Sequence, residues 1–400
     1  MPTGSSVQAA VLHGPENLRI ESRLISAVGP DDLEIAIRST GICGSDLHFY
    51  RHYANGDVLV REPLVLGHES AGIVTAVGSS VDDFKIGDKV ALEVGQPCGS
   101  CARCEEGRYN ICKDMQFRSA AKLFPHAQGT LQERIIHPAK WSYKLPDNVS
   151  LDEGALLEPM GVAIQAMRRA QLHPQSITLI FGAGAVGLLC AAILKVTGSS
   201  TIVIADIEEG RVDFAVKNGF ADRGFVVPRK RGSTTIENLN IAKETATLAG
   251  NIPIAGGDKQ IGEFDAVFEC TGVEACLQAA IYATRPGGRV LIIGTGTPVQ
   301  ILPVSAAAFR EVDLIGVFRY ANTYPLAIEI VSNKGLKGNK GRPLPDLKTM
   351  ITHRFRGMQN VNDAFHIAGK GKDENGNLVL KCLVLLGGEE DSSCVASSKL

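Results

Sequence analysis

The stretch Ile177–Phe181 reads ITLIF, and Gly182-Ala183-Gly184-Ala185-Val186-Gly187 follows it directly. A mostly apolar strand that runs into a full G-x-G-x-x-G, with a helical run over 185–197 behind it, predicts a strand–turn–helix unit. A second apolar strand is predicted over 201–205, and the acid Asp206 ends it. A second helix is expected over 208–217, and later strands over 265–269 and 289–294. Alternating strands and helices imply a parallel, doubly wound sheet. In this setting the glycines have separate tasks. Gly182 makes the tight turn, Gly184 lets the backbone approach a pyrophosphate, and Gly187 lets helix and strand pack closely. The helix N-terminus offers free N–H groups to phosphate. Asp206 suits the ribose hydroxyls and repels a 2′-phosphate, and Ile207 rather than an arginine follows it. The reading is therefore NAD rather than NADP.

Working outward, residues 1–150 consist of short apolar runs broken by turns. The 34–38 segment alternates, and 71–77 and 89–94 are short and rich in β-branched residues, so an irregular all-β region is expected. Residues 225–262 read as a helix plus a variable loop. Apolar periodicity resumes over 324–331, while 334–345 and 369–376 read as loops.

Composition narrows the classes. The chain has 400 residues, 44% hydrophobic and 21% charged, with a formal net charge of -2. That is an ordinary globular composition, with no basic stripe for nucleic acid and no apolar run long enough to span a bilayer. The N-terminus lacks a basic segment followed by an apolar one, so an intracellular protein is expected. In a reducing compartment, its 10 cysteines are more often metal ligands than disulfides.

Four of them, Cys98, Cys101, Cys104 and Cys112, form C-x2-C-x2-C-x7-C. Four thiolates complete a tetrahedral zinc and leave no open position, which marks a structural site. An iron–sulfur run uses similar spacing and is the competing reading. A second set is Cys43 in Gly41-Ile42-Cys43-Gly44-Ser45-Asp46-Leu47-His48, with His68-Glu69 further on. Alone, each of these residues reads more readily as ordinary packing or hydrogen bonding than as a metal ligand.

Together these stretches resemble the zinc-dependent medium-chain alcohol dehydrogenases. Gly67-His68-Glu69 with Ala71-Gly72 is similar to that family's zinc motif, and the four-cysteine lobe and glycine turn follow in its order. Gly107-Arg108-Tyr109-Asn110, Leu157-Glu158-Pro159, Glu269-Cys270-Thr271-Gly272, Arg310-Glu311-Val312-Asp313, Thr352-His353-Arg354-Phe355 and the run from Phe318 to Pro325 resemble the sorbitol, xylitol and L-arabinitol dehydrogenase branch, fungal forms especially.

The resemblance implies an α/β protein. A GroES-like irregular β catalytic domain would be split over 1–155 and 306–400, around a Rossmann domain at 156–305. It implies two zinc ions per chain and NAD. Cys43, His68 and Glu69 would hold the catalytic zinc, with Glu158 beside it. Ser45 and His48 would relay the proton. Gly182, Gly184, Val186, Gly187, Asp206, Arg211 and Thr271 would contact the cofactor. Tyr50, Phe117, Arg319 and Tyr320 would line a polyol pocket. The implied reaction passes hydride from a secondary alcohol to NAD and yields a ketose or ketone. A non-sugar alcohol of a specialised pathway is the alternative substrate, and a non-catalytic NAD-binding relative is the remoter one. A homotetramer is implied. The sequence departs from the branch at Met160 and Gly161, where Leu-Ser is usual, and at Gln165, where His is common. Finally, Ser398-Lys399-Leu400 matches a receptor-read peroxisomal address, so import into that organelle is expected, with the cytoplasm as the alternative.

Overall fold

The computed structural model describes residues 4–336 and 341–387. The chain divides into two compact units, Met1–Glu158 with Ile351–Leu400, and Pro159–Met350.

The second unit is built on six parallel strands: β1 Ile177–Phe181, β2 Thr201–Asp206, β3 Arg223–Val226, β4 Phe264–Glu269, β5 Thr284–Ile292 and β6 Asp313–Gly316. Their order is β3-β2-β1-β4-β5-β6, the doubly wound arrangement with its reversal between β1 and β4. All six residues of β2 are buried and β1 is nearly so, as a sheet covered on both faces requires. Leu179, Phe181, Val203, Phe264 and Val267 anchor one core, with Leu277 and Ile281 of the helix Glu274–Ala283 packed on it. The predicted helix in the 225–262 stretch forms over Thr235–Gly250, capped by the Thr234 side chain.

The expected return to the first unit at residue 306 comes later, at 351. The reason is β6, which pairs in parallel with β5 from Arg289↔Asp313 to Ile292↔Gly316. Tyr324–Asn333 then forms a helix that buries Tyr324, Ala327, Ile330 and Val331. Arg342 fastens the following segment, donating to the Ser199 carbonyl and to Asp222 Oδ2, each at 3.0 Å. Residues 306–350 thus belong to the nucleotide unit. At the other junction, the boundary falls inside the helix Leu157–Ala170, after Glu158.

The first unit is mostly sheet, as expected. Its largest sheet runs in the order Ser142–Lys144, Lys89–Leu92, Glu69–Val77, Asp32–Gly41, Lys381–Leu385, Ile351–Arg356, and Arg134–Pro138 also pairs with Asp32–Gly41. Leu18–Ile25, Ser5–Leu12 and Leu64–Val65 form a second, three-stranded sheet. Among the described residues no helix is long and apolar enough to cross a membrane. The Ser398-Lys399-Leu400 terminus lies outside the described residues.

Candidate metal and cofactor sites

Two paired strands and one helix bring the first ligand set together. Cys43 is the N-cap of the helix Gly44–His52, at φ −92° and ψ 155°. His68 follows Gly67, whose φ of +90° and crowding by Leu131, Thr40 and Thr130 leave no room for a side chain. Glu69 opens the strand Glu69–Val77 and pairs with Gly41. Ligand atoms of Cys43, His68 and Glu69 all lie within 4.8 Å of one another, and His68 and Glu69 are buried. One soft sulfur, one imidazole and one carboxylate suit zinc, and three protein ligands leave a coordination position open.

Asp46, to which the sequence reading gave no role, organises this set. Its carboxylate is fully buried. Oδ1 accepts from Ser119 Oγ at 2.6 Å and Gly67 N–H at 3.2 Å, and lies 3.2 Å from His68 Nδ1. Oδ2 accepts from Cys43 N–H at 3.3 Å. Burial pushes the Asp46 carboxyl up, but the His68 charge and these hydrogen bonds outweigh it and hold it below the ordinary carboxylate range. Tying up Nδ1 leaves His68 Nε2 for a metal. Ser45 Oγ is 3.4 Å from that Nε2 and 3.3 Å from Cys43 Sγ. Phe117 sets its ring edge-on to His68, with centroids 5.5 Å apart.

Lys381 is the second residue missed. It is buried, its Nζ donates to the Ile42 carbonyl at 3.0 Å, and it forms an ion pair with Glu69. A Cβ at Gly41 would strike both partners of that pair. Burial pulls the Lys381 pKa down, but Glu69, Cys43 and Glu158 all push it up, and the net shift is upward. Glu158, buried at the start of its helix, is thus electrostatically part of the same group. His48 is exposed, one turn along from Ser45 on Gly44–His52, with its ring centroid 6.1 Å from that of His52. Tyr50 lies on the same helix. Its ring packs on Phe365 at 5.0 Å and borders a cavity with Glu16, Arg51 and Lys370.

The four-cysteine lobe is compact. Sulfur separations are 3.5 Å for Cys101–Cys104, 3.6 Å for Cys98–Cys112 and 3.9 Å for Cys98–Cys104. A zinc with bonds of about 2.3 Å needs tetrahedral edges of about 3.8 Å. One ion fits this cradle, and a multi-iron cluster, which holds its thiolates further apart, does not. Tyr109 ties the lobe to the sheet by donating to the buried Glu93 at 2.6 Å.

In the second unit Gly182 has φ +99°, Gly184 caps the helix Ala185–Val196, and a Cβ at Gly187 would overlap the Gly182 carbonyl. Val186 lies in the first turn of that helix, and Arg211 is the side chain nearest to Gly184. Asp206 is already engaged. Oδ2 accepts from Ala183 N–H at 2.8 Å and Oδ1 from Glu208 N–H at 2.9 Å. Thr271 touches Gly182, and the buried Glu269 holds it by accepting its N–H at 2.7 Å. Arg319 and Tyr320 also lie in this unit. Arg319 sits over the Phe318 ring at 4.9 Å, and Tyr320 is buried.

Comparison with known proteins identifies the family. Residues 29–147 match the alcohol dehydrogenase GroES-like domain, and 185–333 match the zinc-binding dehydrogenase domain. The chain is 38% identical to a sorbitol dehydrogenase of Arabidopsis thaliana, over 92% of this chain and 95% of that one. It is 36% identical to an L-idonate 5-dehydrogenase of Vitis vinifera, over 92% and 93%. A solved Escherichia coli oxidoreductase/dehydrogenase of unknown specificity superposes with a TM-score of 0.79 at 31% identity, covering 96% of this chain and all of that one. With such identity along nearly the full length, and with both ligand sets and the glycine turn assembled, the chain belongs to the zinc-dependent medium-chain alcohol dehydrogenases, in their sorbitol dehydrogenase branch.

Proposed function

We propose that this protein oxidises polyols, or other secondary alcohols, to ketoses or ketones with NAD. The observation that carries the reading is the convergence of Cys43, His68 and Glu69 within 4.8 Å, which leaves one position of a tetrahedral ion for substrate. Bound zinc would acidify the substrate hydroxyl, and NAD would take up the hydride. The chain's residues do the rest. Asp46 and Lys381 hold the ligands in place. Ser45, within 3.4 Å of both Cys43 and His68 side chains, takes the hydroxyl proton. His48, further along the same helix, passes it to water. Arg319, with five donors in a rigid fork, binds the further hydroxyls of a polyol. Gly182, Gly184 and the N-terminus of Ala185–Val196 bind the pyrophosphate. NAD reduction should be measured with sorbitol, xylitol, L-arabinitol, ribitol and simple secondary alcohols. Polyols should turn over best, and Arg319→Ala should harm them far more than butan-2-ol. Turnover of simple alcohols alone would favour the non-sugar alternative.

Two further proposals concern assembly and location. Self-association, to a homotetramer, is supported by the edge strand β6 and the exposed apolar side chains that precede it in the sequence, Val299, Val304 and Phe309 (89% exposed). Light scattering of the purified protein tests it. Peroxisomal import through Ser398-Lys399-Leu400 is supported by the sequence alone. With a fluorescent protein fused at the N-terminus, punctate signal should become diffuse when the three residues are deleted.

A further inference from the structure

The helix Leu157–Ala170 carries a glycine in its interior, at position 161, where glycine weakens a helix. The space that a side chain would take is already filled. A Cβ on Gly161 would lie 2.9 Å from Tyr320 Cγ, 3.1 Å from Tyr320 Cδ1 and 2.8 Å from Thr323 Oγ1. The Thr323 hydroxyl can rotate aside, but the Tyr320 ring atoms next to its Cβ cannot yield by swinging a flexible end away. Tyr320 and Thr323 are both buried, and the Thr323 hydroxyl has no hydrogen-bond partner. The segment is pressed onto the helix from a second point. Arg168, two turns after Gly161 and on the same face, donates to the carbonyls of Ala321 and Asn322, each at 3.1 Å. Two non-glycine residues of the segment, Arg319 at φ +49° and Asn322 at φ +55°, occupy the left-handed region. Such conformations persist only where the surroundings over-determine them.

We propose that Gly161 is a specificity-determining residue: by carrying no side chain it seats the Tyr320 ring against the helix, and this sets where Arg319 and Tyr320 meet the polyol chain. The inference rests on the reading that these two residues bind substrate. Gly161 acts through Tyr320 and touches no reacting atom. Any side chain at 161 displaces the ring by a large fraction of an ångström. A misplacement of about 1 Å, remote from the chemistry, can lower turnover by about 100-fold, which bounds the effect from above.

The test is a cycle of Gly161→Ala, Tyr320→Ala and the double variant, each assayed with sorbitol or xylitol and with butan-2-ol, and each titrated with NADH by fluorescence. Gly161→Ala should lower kcat/KM for the polyol by about 10- to 100-fold. It should leave butan-2-ol turnover and NADH affinity within about 2-fold of wild type. In the Tyr320→Ala background, where the ring is gone, Gly161→Ala should add no further loss, the mark of a coupled pair. Should the single variant fail to fold, the double variant, in which the ring is gone and only the Thr323 hydroxyl, which can rotate without breaking a hydrogen bond, still faces the methyl group, must fold and must match Tyr320→Ala. Equal loss on both substrates, or the same loss with and without the Tyr320 ring, overturns the proposal. If wild type oxidised no polyol at all, the functional reading itself would fall, and that result is visible before any variant is made.

Discussion

Asp46 Oδ1 lies 3.2 Å from His68 Nδ1, with the Asp46 side chain wholly enclosed. The same carboxylate takes the Cys43 and Gly67 N–H groups, so one residue aims two metal ligands from behind. Asp46→Asn keeps the shape but loses the charge, and its amide group cannot accept at both positions. Zinc affinity at the catalytic site should fall about 10- to 100-fold, read by competition with a chromogenic chelator. Unchanged affinity would mean that Asp46 serves folding alone.

What the sequence discloses and what it hides divides along chain distance. The glycine turn, Asp206 and the four cysteines are legible because each pattern completes itself within about thirty residues. Asp46 sits inside a quoted motif, yet its partners Gly67, His68 and Ser119 lie 21, 22 and 73 residues away. Lys381 reaches the Ile42 carbonyl across 339 residues, and a lone lysine in the apolar run LKCLVLL carries no sign of it. The misplaced boundary at 306 has a similar origin. The edge strand β6 has only four residues, two of them exposed, and so lacks the apolar alternation that announces a strand.

The Lys381–Glu69 pair predicts an effect on stability that depends on metal. Lys381→Met leaves Glu69 as a buried charge without its partner, which typically destabilises by about 3–5 kcal/mol. A zinc ion bound to Glu69 compensates part of that charge. The loss in Tm should therefore be larger in zinc-stripped protein than in zinc-loaded protein. Equal losses in both forms would show that the lysine does not share Glu69 with the metal.

The four-cysteine lobe should be separable from catalysis. Metal analysis of wild type should find about two zinc ions per chain. Cys101→Ser should remove about one of them and lower Tm. Cys43→Ser should abolish turnover and leave the fold intact. A Cys101→Ser protein with full metal content and unchanged Tm would remove the structural role.

Both Asp206 oxygens already accept a backbone N–H, from Ala183 and Glu208. The acid therefore supports the glycine turn, in addition to the ribose contact that the resemblance implies for it. Asp206→Ser alone should weaken NAD and NADP together. Only with Ile207→Arg added, which supplies a phosphate partner, should the NAD preference narrow or reverse. Steady-state kinetics with both cofactors decides it. A reversal by Asp206→Ser alone would show that repulsion, and not the turn, dominates.

The proton exit should leave a mark on the pH profile. Burial lowers the His48 pKa first, because imidazolium loses hydration, and the positive charges of His52 and Arg51 lower it further. A neutral His48 is the form that accepts a proton, so oxidation should persist below the ordinary imidazole range of about 6.5. Removing those neighbouring charges lessens the shift. His52→Asn and Arg51→Gln each favour the protonated form, raise the His48 pKa and move the acid limb of kcat to higher pH. The stability linkage has the matching sign. With the folded pKa below the unfolded one, the folded state binds fewer protons between the two values. That contribution is present above about pH 6.5 and is lost as pH falls through the folded pKa. His48→Gln should lower kcat and remove the acid limb while leaving the zinc content intact. An acid limb that stays in place in all three variants would assign the proton exit to another group.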